Sequence, residues 1–342
     1  MMIDEILDKE ELNKDDIISL LQVEDRNEII LLYQKADEVR KQYCGDEVHL
    51  RGIIEFSNYC EQDCLYCGLR KSNNSLIRYR MSKNEILDTA GMIYKNGIHT
   101  IVLQSGEDFG CTAEEIEDII KSIKSELDIA ITLSLGERSF REYEMWRIAG
   151  ADRYLLKHET ANPKLYSAYH STQRLQDRLD HLLYLKSIGY QIGSGNLVGM
   201  PRQTINDLAD DIILCRELDV DMASFSPFIP SPNTPYRKQS ACGINLILKV
   251  MAAGRIVLKN SHIPATTALG TMDQYGREKG LQVGANVIMP NFTPAPYRER
   301  YAIYPNKKCV NDNPKLCASC LGLMIDSLGR SIGEGQGHSL KN

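Results

Sequence analysis

The chain has 342 residues, 43% hydrophobic and 25% charged, with a formal net charge of −6. This is ordinary globular composition, and its acidic balance argues against a nucleic-acid binder. No apolar run of about 18 residues offers a membrane span, and the acidic start MMIDEILDKEELNKDD lacks a signal core, so a cytoplasmic protein is expected.

Residues 1–45 read as a helical extension, because EILDKEELNKDDIISLL and EDRNEIILLYQKADEVRKQY repeat apolar residues at helical spacing. A regular alternation follows. The strand candidates are 49–57, 99–106, 129–136, 152–159, 190–199, 221–229, 263–270 and 285–290. Amphipathic stretches such as KNEILDTAGMIYKNG and TINDLADDIILCRELDV lie between most of them. Eight β runs with helical crossovers predict an α/β fold, a (βα)8 TIM barrel over 46–305. An open doubly wound sheet is the rival. It is weakened by the lack of a GxGxxG after the first strand. The proline-rich stretch 290–305 reads as an ordered loop leading to a C-terminal cap over 306–342, and the end, GEGQGHSLKN, reads as frayed.

Chemistry-capable residues gather at the ends of the strand runs. They are Gln104, Ser105, Gly106 and Glu107, then Ser134, Gly136 and Glu137, then Lys157, His158 and Glu159. Thr266 and Thr267 lie in a later run. Barrel active sites occupy the carboxyl ends of strands, so this placement favours the barrel.

The ten cysteines are more readily ligands or core residues than disulfides in a reducing compartment. Cys60, Cys64 and Cys67 form CxxxCxxC just after the first strand run. Three thiolates this close can wrap one iron–sulfur cluster. A structural zinc normally takes four protein ligands, and the nearest histidines, His49 and His99, lie in or beside strand runs. A four-iron cluster on three cysteines leaves one iron for a ligand that the protein does not supply. The amino and carboxylate groups of S-adenosylmethionine (SAM) suit that iron. Tyr66, beside the last cysteine, either shields the cluster near an adenine or simply packs. Cys309, Cys317 and Cys320 form a second set beyond the last strand run, and Cys44, Cys111, Cys215 and Cys242 read as structural.

The CxxxCxxC loop with its aromatic residue resembles the radical SAM superfamily. The ordered set EFSNYCEQDCLYCGLR, RYRM, IVLQSGED, ITLSLGE, ADRYLLKHETANP, IPATTALGT and GANVIMPNFTPAPYR is similar to the HydE family of [FeFe]-hydrogenase maturases. That family is related to biotin synthase and methylornithine synthase. The resemblance spans roughly residues 35–330. It implies a 4Fe-4S cluster on Cys60, Cys64 and Cys67, with SAM cleaved reductively in an internal cavity. The implied SAM shell is Tyr66, Ser105, Gly106, Glu107, Thr132, Ser134, Glu159 and Arg178. Glu107 or Glu159 would meet the SAM amino group or ribose hydroxyls, and Arg178 its carboxylate. The implied substrate wall is Arg51, Gln104, Lys157, Met222, Thr266, Thr267, Tyr301 and Tyr304.

The implied substrate is a small organometallic complex, a low-spin iron carrying cysteine, carbonyl and cyanide, made by a partner maturase. The implied electron donor is a reduced ferredoxin or flavodoxin, and the setting is anaerobic. Cys309, Cys317 and Cys320 would hold an accessory cluster, with a structural zinc or an empty site as the other readings. Lys157 stands where the family carries arginine, and the two differ at a forked contact. Met200 and Arg202 replace an expected leucine and glycine, and nothing in the sequence explains them.

Plainer readings stand beside these. Arg178 also fits a solvated helix face, and Thr266 and Thr267 also fit ordinary strand residues. His158 fits a hydrogen-bonded core histidine as well as a ligand. For the whole chain, two other readings remain. One is a methylornithine- or biotin-synthase-like reaction on a small organic substrate. The other is a non-catalytic cluster carrier.

Overall fold

The computed structural model describes residues 3–308 and 314–341, the side chains of 314–319 excepted. The N-terminal extension forms α1 (Ile3–Leu7), α2 (Lys14–Gln22) and α3 (Arg26–Cys44). Asn13 and Asp16 cap the start of α2 reciprocally, and Asp25 accepts the first free amides of α3.

β1 (Glu47–Leu50) leads into β2 (Gly52–Ser57), and α4 (Lys83–Lys95) carries the chain to β3 (Thr100–Ser105). The alternation continues through α5 (Ala113–Glu126), β4 (Ala130–Ser134), α6 (Phe140–Ala149) and β5 (Arg153–Leu155). Two helices follow, α7 (Pro163–Tyr169) and α8 (Leu175–Ser187), then β6 (Gln191–Val198), α9 (Ile205–Glu217), β7 (Met222–Pro227) and α10 (Ile244–Leu258). α2 and α3 pack on α9 and α10, outside the sheet.

Serine or threonine followed three residues later by an acid opens four of these helices. The pairs are Ser82 with Glu85, Thr112 with Glu115, Ser139 with Glu142, and Thr204 with Asp207. Each pair satisfies two backbone donors that the first turn leaves free. The helices bury an isoleucine-rich stripe, such as Ile86 and Ile93 of α4 and Ile116 and Ile120 of α5, against Ile54, Ile101 and Leu103 of the strands. Each such side chain, fully buried, stabilises the fold by roughly 1.5–3 kcal/mol.

β2 to β7 form one parallel sheet in sequential order. The ring then closes through short pairings. Met222 bridges His262, Pro264 bridges Val287 of β8 (Val287–Ile288), β8 pairs with β1, and Ile53 bridges Asn291. The expected strand over 263–270 therefore does not form as a regular strand. Pro264 has no amide proton for a ladder. Two residues on, the Thr266 hydroxyl accepts from the Leu269 amide and starts α11 (Thr267–Met272). α12 (Gly276–Gln282) precedes β8, and α13 (Ala295–Arg298) lies in the proline-rich loop.

The C-terminal segment is ordered against the barrel base, contrary to the frayed end expected. After α14 (Pro314–Ser327), β9 (Ser331–Ile332) pairs in parallel with β1. The tail then crosses the amino ends of the strands. The Gln336 carbonyl accepts from Thr100 Oγ1 and Arg153 Nη2, each at 2.7 Å, and the Gly337 carbonyl accepts from Arg51 at 3.3 Å. The His338 carbonyl lies 2.9 Å from His262 Nε2, and the Ser339 amide donates to Gln191 at 2.9 Å. Glycine-rich composition suggests disorder, but here it serves close approach. A Cβ on Gly337, at φ +51°, would sit 2.9 Å from the His49 ring. Among the described residues, no helix is long and apolar enough to cross a membrane.

Candidate active site

The carboxyl ends of the strands open into a cavity of about 350 Å³. The loop after β2 forms one wall. Its backbone is pinned at three points: the Glu61 amide donates to the Glu107 carbonyl, that of Leu65 to Tyr169, and that of Gly68 to Ile303. The Arg78 guanidinium bridges the carbonyls of Asn58, Leu69 and Arg70 across the base of the loop. Arg70 and Asp63 pair within it at 2.5 Å.

This scaffold turns Cys60, Cys64 and Cys67 toward the cavity as free thiols. Burial pushes all three thiols up, Cys67 to about 12, and neighbouring sulfurs push Cys64 and Cys67 up further. Three thiolates held this close need compensating cationic charge, which an iron–sulfur cluster supplies. Among the described residues, no three His, Cys, Asp or Glu side chains converge on a single metal ion. Three free thiols of one loop that line one cavity are a donor set that fits an iron–sulfur cluster. Gly106 keeps the contact close, since a Cβ there would lie 2.7 Å from that of Cys60.

Tyr66 points its hydroxyl at His170 Nε2, 3.0 Å away. The other ring nitrogen of His170 is 3.1 Å from the Tyr166 carbonyl and therefore carries the proton, so Nε2 accepts from Tyr66. Burial pushes His170 down to about 3, which keeps the ring neutral.

The two carboxylates expected at SAM differ in availability. Glu107 is held by three donors: Gln62 Nε2 at 2.5 Å, Gln173 Nε2 at 3.0 Å and the Glu137 amide at 3.0 Å. Gly136 makes room for it, because a Cβ there would fall 1.9 Å from Glu107 Cγ. Glu159 is different. Its Oε2 is buried and has no hydrogen bond, and the Lys157 ammonium pairs with it at 3.3 Å. Arg178 donates from Nε to Glu137 at 2.6 Å and from Nη1 to the Lys157 carbonyl at 3.0 Å. Its Nη2 stands 3.8 Å from Glu107, beyond hydrogen-bond reach. Burial opposes the Arg178 charge, but Tyr166, Glu137 and Glu107 hold its pKa above the ordinary value. It is therefore a buried cation between strands, and the solvated-face reading of it fails.

Ser105, Gly106, Ser134, Gln104, Lys157, Thr266, Thr267, Tyr301 and Tyr304 also line this cavity. Tyr301 accepts from Gln104 Nε2 at 3.2 Å, which leaves its own proton for a ligand. Three expected residues lie elsewhere. Arg51, Thr132 and Met222 face a void of about 10 Å³ at the barrel base, where Arg51 donates to Met222 Sδ and to the tail. Thr132 and Met222 each sit one strand repeat, about 6–7 Å, below the cavity residues Ser134 and Ser224 on the same faces. His158 is a core residue, fully buried and 3.0 Å from Ser194 Oγ.

Sequence reasoning missed Gln62, His170, Gln173, Ser224 and Ser226, all on the cavity wall. Gln62 lies inside the cysteine motif and was open to detection. His170 and Gln173 lie between α7 and α8, where no periodic signal marks them. Of the second cysteine set, Cys309 and the Cys317 side chain lie outside the described residues, and Cys320 is exposed on α14.

Comparison with known proteins agrees with this geometry. Residues 54–215 match the Radical SAM superfamily. The [FeFe] hydrogenase maturase subunit HydE of Thermotoga maritima is 48% identical over 333 residues, 97% of this chain and 95% of that protein. The 3-methylornithine synthase of Methanosarcina acetivorans is 30% identical, over 83% of this chain and 81% of that protein. The crystal structure of methylornithine synthase (PylB) superposes with a TM-score of 0.84 at 23% identity, covering 97% of each chain, a likeness of fold.

Proposed function

This chain belongs to the radical SAM superfamily and, within it, to the HydE family of [FeFe]-hydrogenase maturases, and from that premise we propose how its cavity works. The fold is read as a complete (βα)8 barrel whose last two strands are short. Cys60, Cys64 and Cys67 hold a 4Fe-4S cluster that, when bound with SAM, supplies the electron for reductive cleavage to methionine and a 5′-deoxyadenosyl radical.

The chain's own residues then divide the work. Arg178 meets the SAM carboxylate through its spare Nη2 donors, while Glu159, whose Oε2 has no hydrogen bond within the protein, accepts from the amino group or the ribose hydroxyls. Glu107 braces the wall between the cysteine loop and β4 and stays on its three donors. Tyr66 presents its ring to the adenine, turned by its bond to His170. Lys157, Thr266, Thr267, Gln104, Tyr301 and Tyr304 hold the second ligand, a cysteine-bound iron carrying carbonyl and cyanide. Lys157 gives this site a point charge, so the anion is held by charge and less by forked geometry.

A partner maturase supplies that complex, and a reduced ferredoxin or flavodoxin supplies the electron. Cys309, Cys317 and Cys320 hold an accessory cluster without a catalytic part. Iron and sulfide counts on a Cys320→Ala variant test that assignment.

One observation carries the reading. Cys60, Cys64, Cys67 and Glu159 line a single cavity, which also holds a second polar group around Lys157. The test is anaerobic reconstitution with iron and sulfide, reduction, and addition of SAM with and without the cysteine-bound iron complex. We expect 5′-deoxyadenosine from the wild type, none from Cys64→Ala, and consumption of the complex together with SAM. Cleavage of SAM that leaves the complex untouched would point to a small organic substrate instead. A fully loaded cluster that cleaves no SAM with the complex present would leave a cluster carrier.

A further inference from the structure

Lys157 and Glu159 stand side by side on the cavity wall, but the residue between them faces away and Glu159 itself has φ +63°. A non-glycine residue holds that left-handed conformation only where its surroundings fix it. What fixes it lies outside the cavity. The Glu159 amide donates to the Gly195 carbonyl at 2.9 Å, and the Leu197 amide donates back to Glu159 at 3.1 Å, so Glu159 bridges Asn196 of β6. Both partners of this turn end on one carboxylate. The Ala161 amide, two residues beyond Glu159, donates to Asp211 Oδ1 at 2.6 Å, and Asn196 Nδ2 donates to Asp211 Oδ2 at 2.5 Å.

Asp211 lies on α9 and is fully buried. We propose that Asp211 is a positioning residue: it fixes the left-handed turn at Glu159 and so keeps Lys157 and Glu159 aligned on the cavity wall. This rests on the reading that Glu159 contacts SAM.

The surroundings of Asp211 offer it hydrogen-bond donors and no cation. His158 faces it from the end of β5, with Nε2 3.9 Å from Oδ1. Ser194 Oγ accepts from the His158 amide and lies 3.0 Å from Nδ1, while Nε2 has no hydrogen-bond partner. Burial, then Lys157, pushes His158 down to about 3, so it supplies no cation. Asn196 from β6 and Gln203 ahead of α9 offer only amides, and Asp207 and Asp210 on α9 add like charge. Burial pushes the Asp211 carboxyl up to about 7. Three donors aim at it: the Ala161 amide, Asn196 Nδ2 and Gln203 Nε2. An asparagine can replace the carboxylate, because Asn196 has an unpartnered Oδ1 and can turn its amide to meet the new NH2 group.

The test measures SAM affinity by equilibrium binding to the reconstituted enzyme, for wild type, Glu159→Gln, Asp211→Ala, Asp211→Asn and the half-buried control Asp210→Ala on the same helix. Glu159→Gln and Asp211→Ala are expected to weaken SAM about tenfold to a hundredfold. Asp211→Asn is expected to stay within about threefold of wild type, and Asp210→Ala to match it. Wild-type affinity in Asp211→Ala beside a weakened Glu159→Gln overturns the positioning role, as does an Asp211→Asn as weak as the alanine. An unaffected Glu159→Gln sinks the reading of Glu159 and the positioning role with it. If Asp211→Ala does not fold, Asn196→Ala removes one of the two ties and carries the same expectation.

Discussion

The two mouths of the strand ring are built from the same chain segments, and both carry buried charge, yet they are finished differently. At the carboxyl ends, Lys157, Glu159 and Arg178 surround about 350 Å³ of space. At the amino ends, Arg51 and Arg153 are as deeply buried, but only about 10 Å³ remains between them. Backbone carbonyls of the tail accept from the Nη2 of each, while Arg51 Nε has no hydrogen bond. Burial pushes Arg153 down to about 10 against the charges of Asp152 and Asp221, which oppose it. A polar strand end is therefore not in itself a site. What separates the two mouths is whether the chain's own backbone fills the opening.

The comparison can be broken or sharpened at either mouth. The largest effect belongs to the open one. Cys64→Ala is expected to lower 5′-deoxyadenosine formation at least about a hundredfold while the apo protein melts as wild type, because the thiols serve the cluster and not the core. A Cys64→Ala protein that still cleaves SAM would move the chemistry off this wall.

Ending the chain at Ile332 acts on the closed mouth. It removes acceptors from two buried cations, and each such charged hydrogen bond contributes about 1.5–3 kcal/mol. The shortened protein should melt well below wild type in an anaerobic thermal scan. Unchanged melting would show that the tail only covers the base and does not stabilise it.

Two glycines offer a matched pair. Gly136→Ala drives a Cβ into Glu107 and should weaken SAM binding about tenfold or more, read by equilibrium binding. Gly337→Ala presses on His49 and should cost about 1–2 kcal/mol of stability with SAM affinity unchanged. Swapped outcomes would mean that the two mouths are coupled.

The smallest effect is in pH. Burial, then Arg51, Arg153 and Arg330, pushes His49 down to about 4 from its ordinary value of 6.5. The unfolded chain then binds more protons than the folded one between these values. Stability is complete above about 6.5 and is lost as pH falls toward about 4. His49→Gln should flatten that limb of a melting-temperature series by a few degrees, roughly. An unchanged slope would assign the limb to the other buried histidines.

Much of this is legible in the chain because it is local. Cys60, Cys64 and Cys67 fall within eight residues, so one loop of any shape brings them together. The apolar runs of β2 to β7 can be read directly because strands buried on both faces need them. The run 263–270 misleads, since Thr266 suits a strand as well as a helix cap and nothing local separates the two. For Thr132 and Met222 the pattern gives the right face and the wrong height. Side chains alternate with a period of two, so the pattern names a face but not how far along the strand the cavity begins.

The sequence by itself determined the cysteine loop, the alternation of strands and helices, and the family to which they belong. Spacing over a few residues is enough for each. Only the tertiary structure decided which mouth opens and which closes, which of Glu107 and Glu159 is free, and that Asp211 holds Glu159 in place. Each of these depends on partners far apart in the chain: Gln336 on Arg153, Gln173 on Glu107, Asp211 on Ala161. A hydrogen bond between distant residues leaves no periodic trace in either segment, so it becomes visible only once the ring has closed.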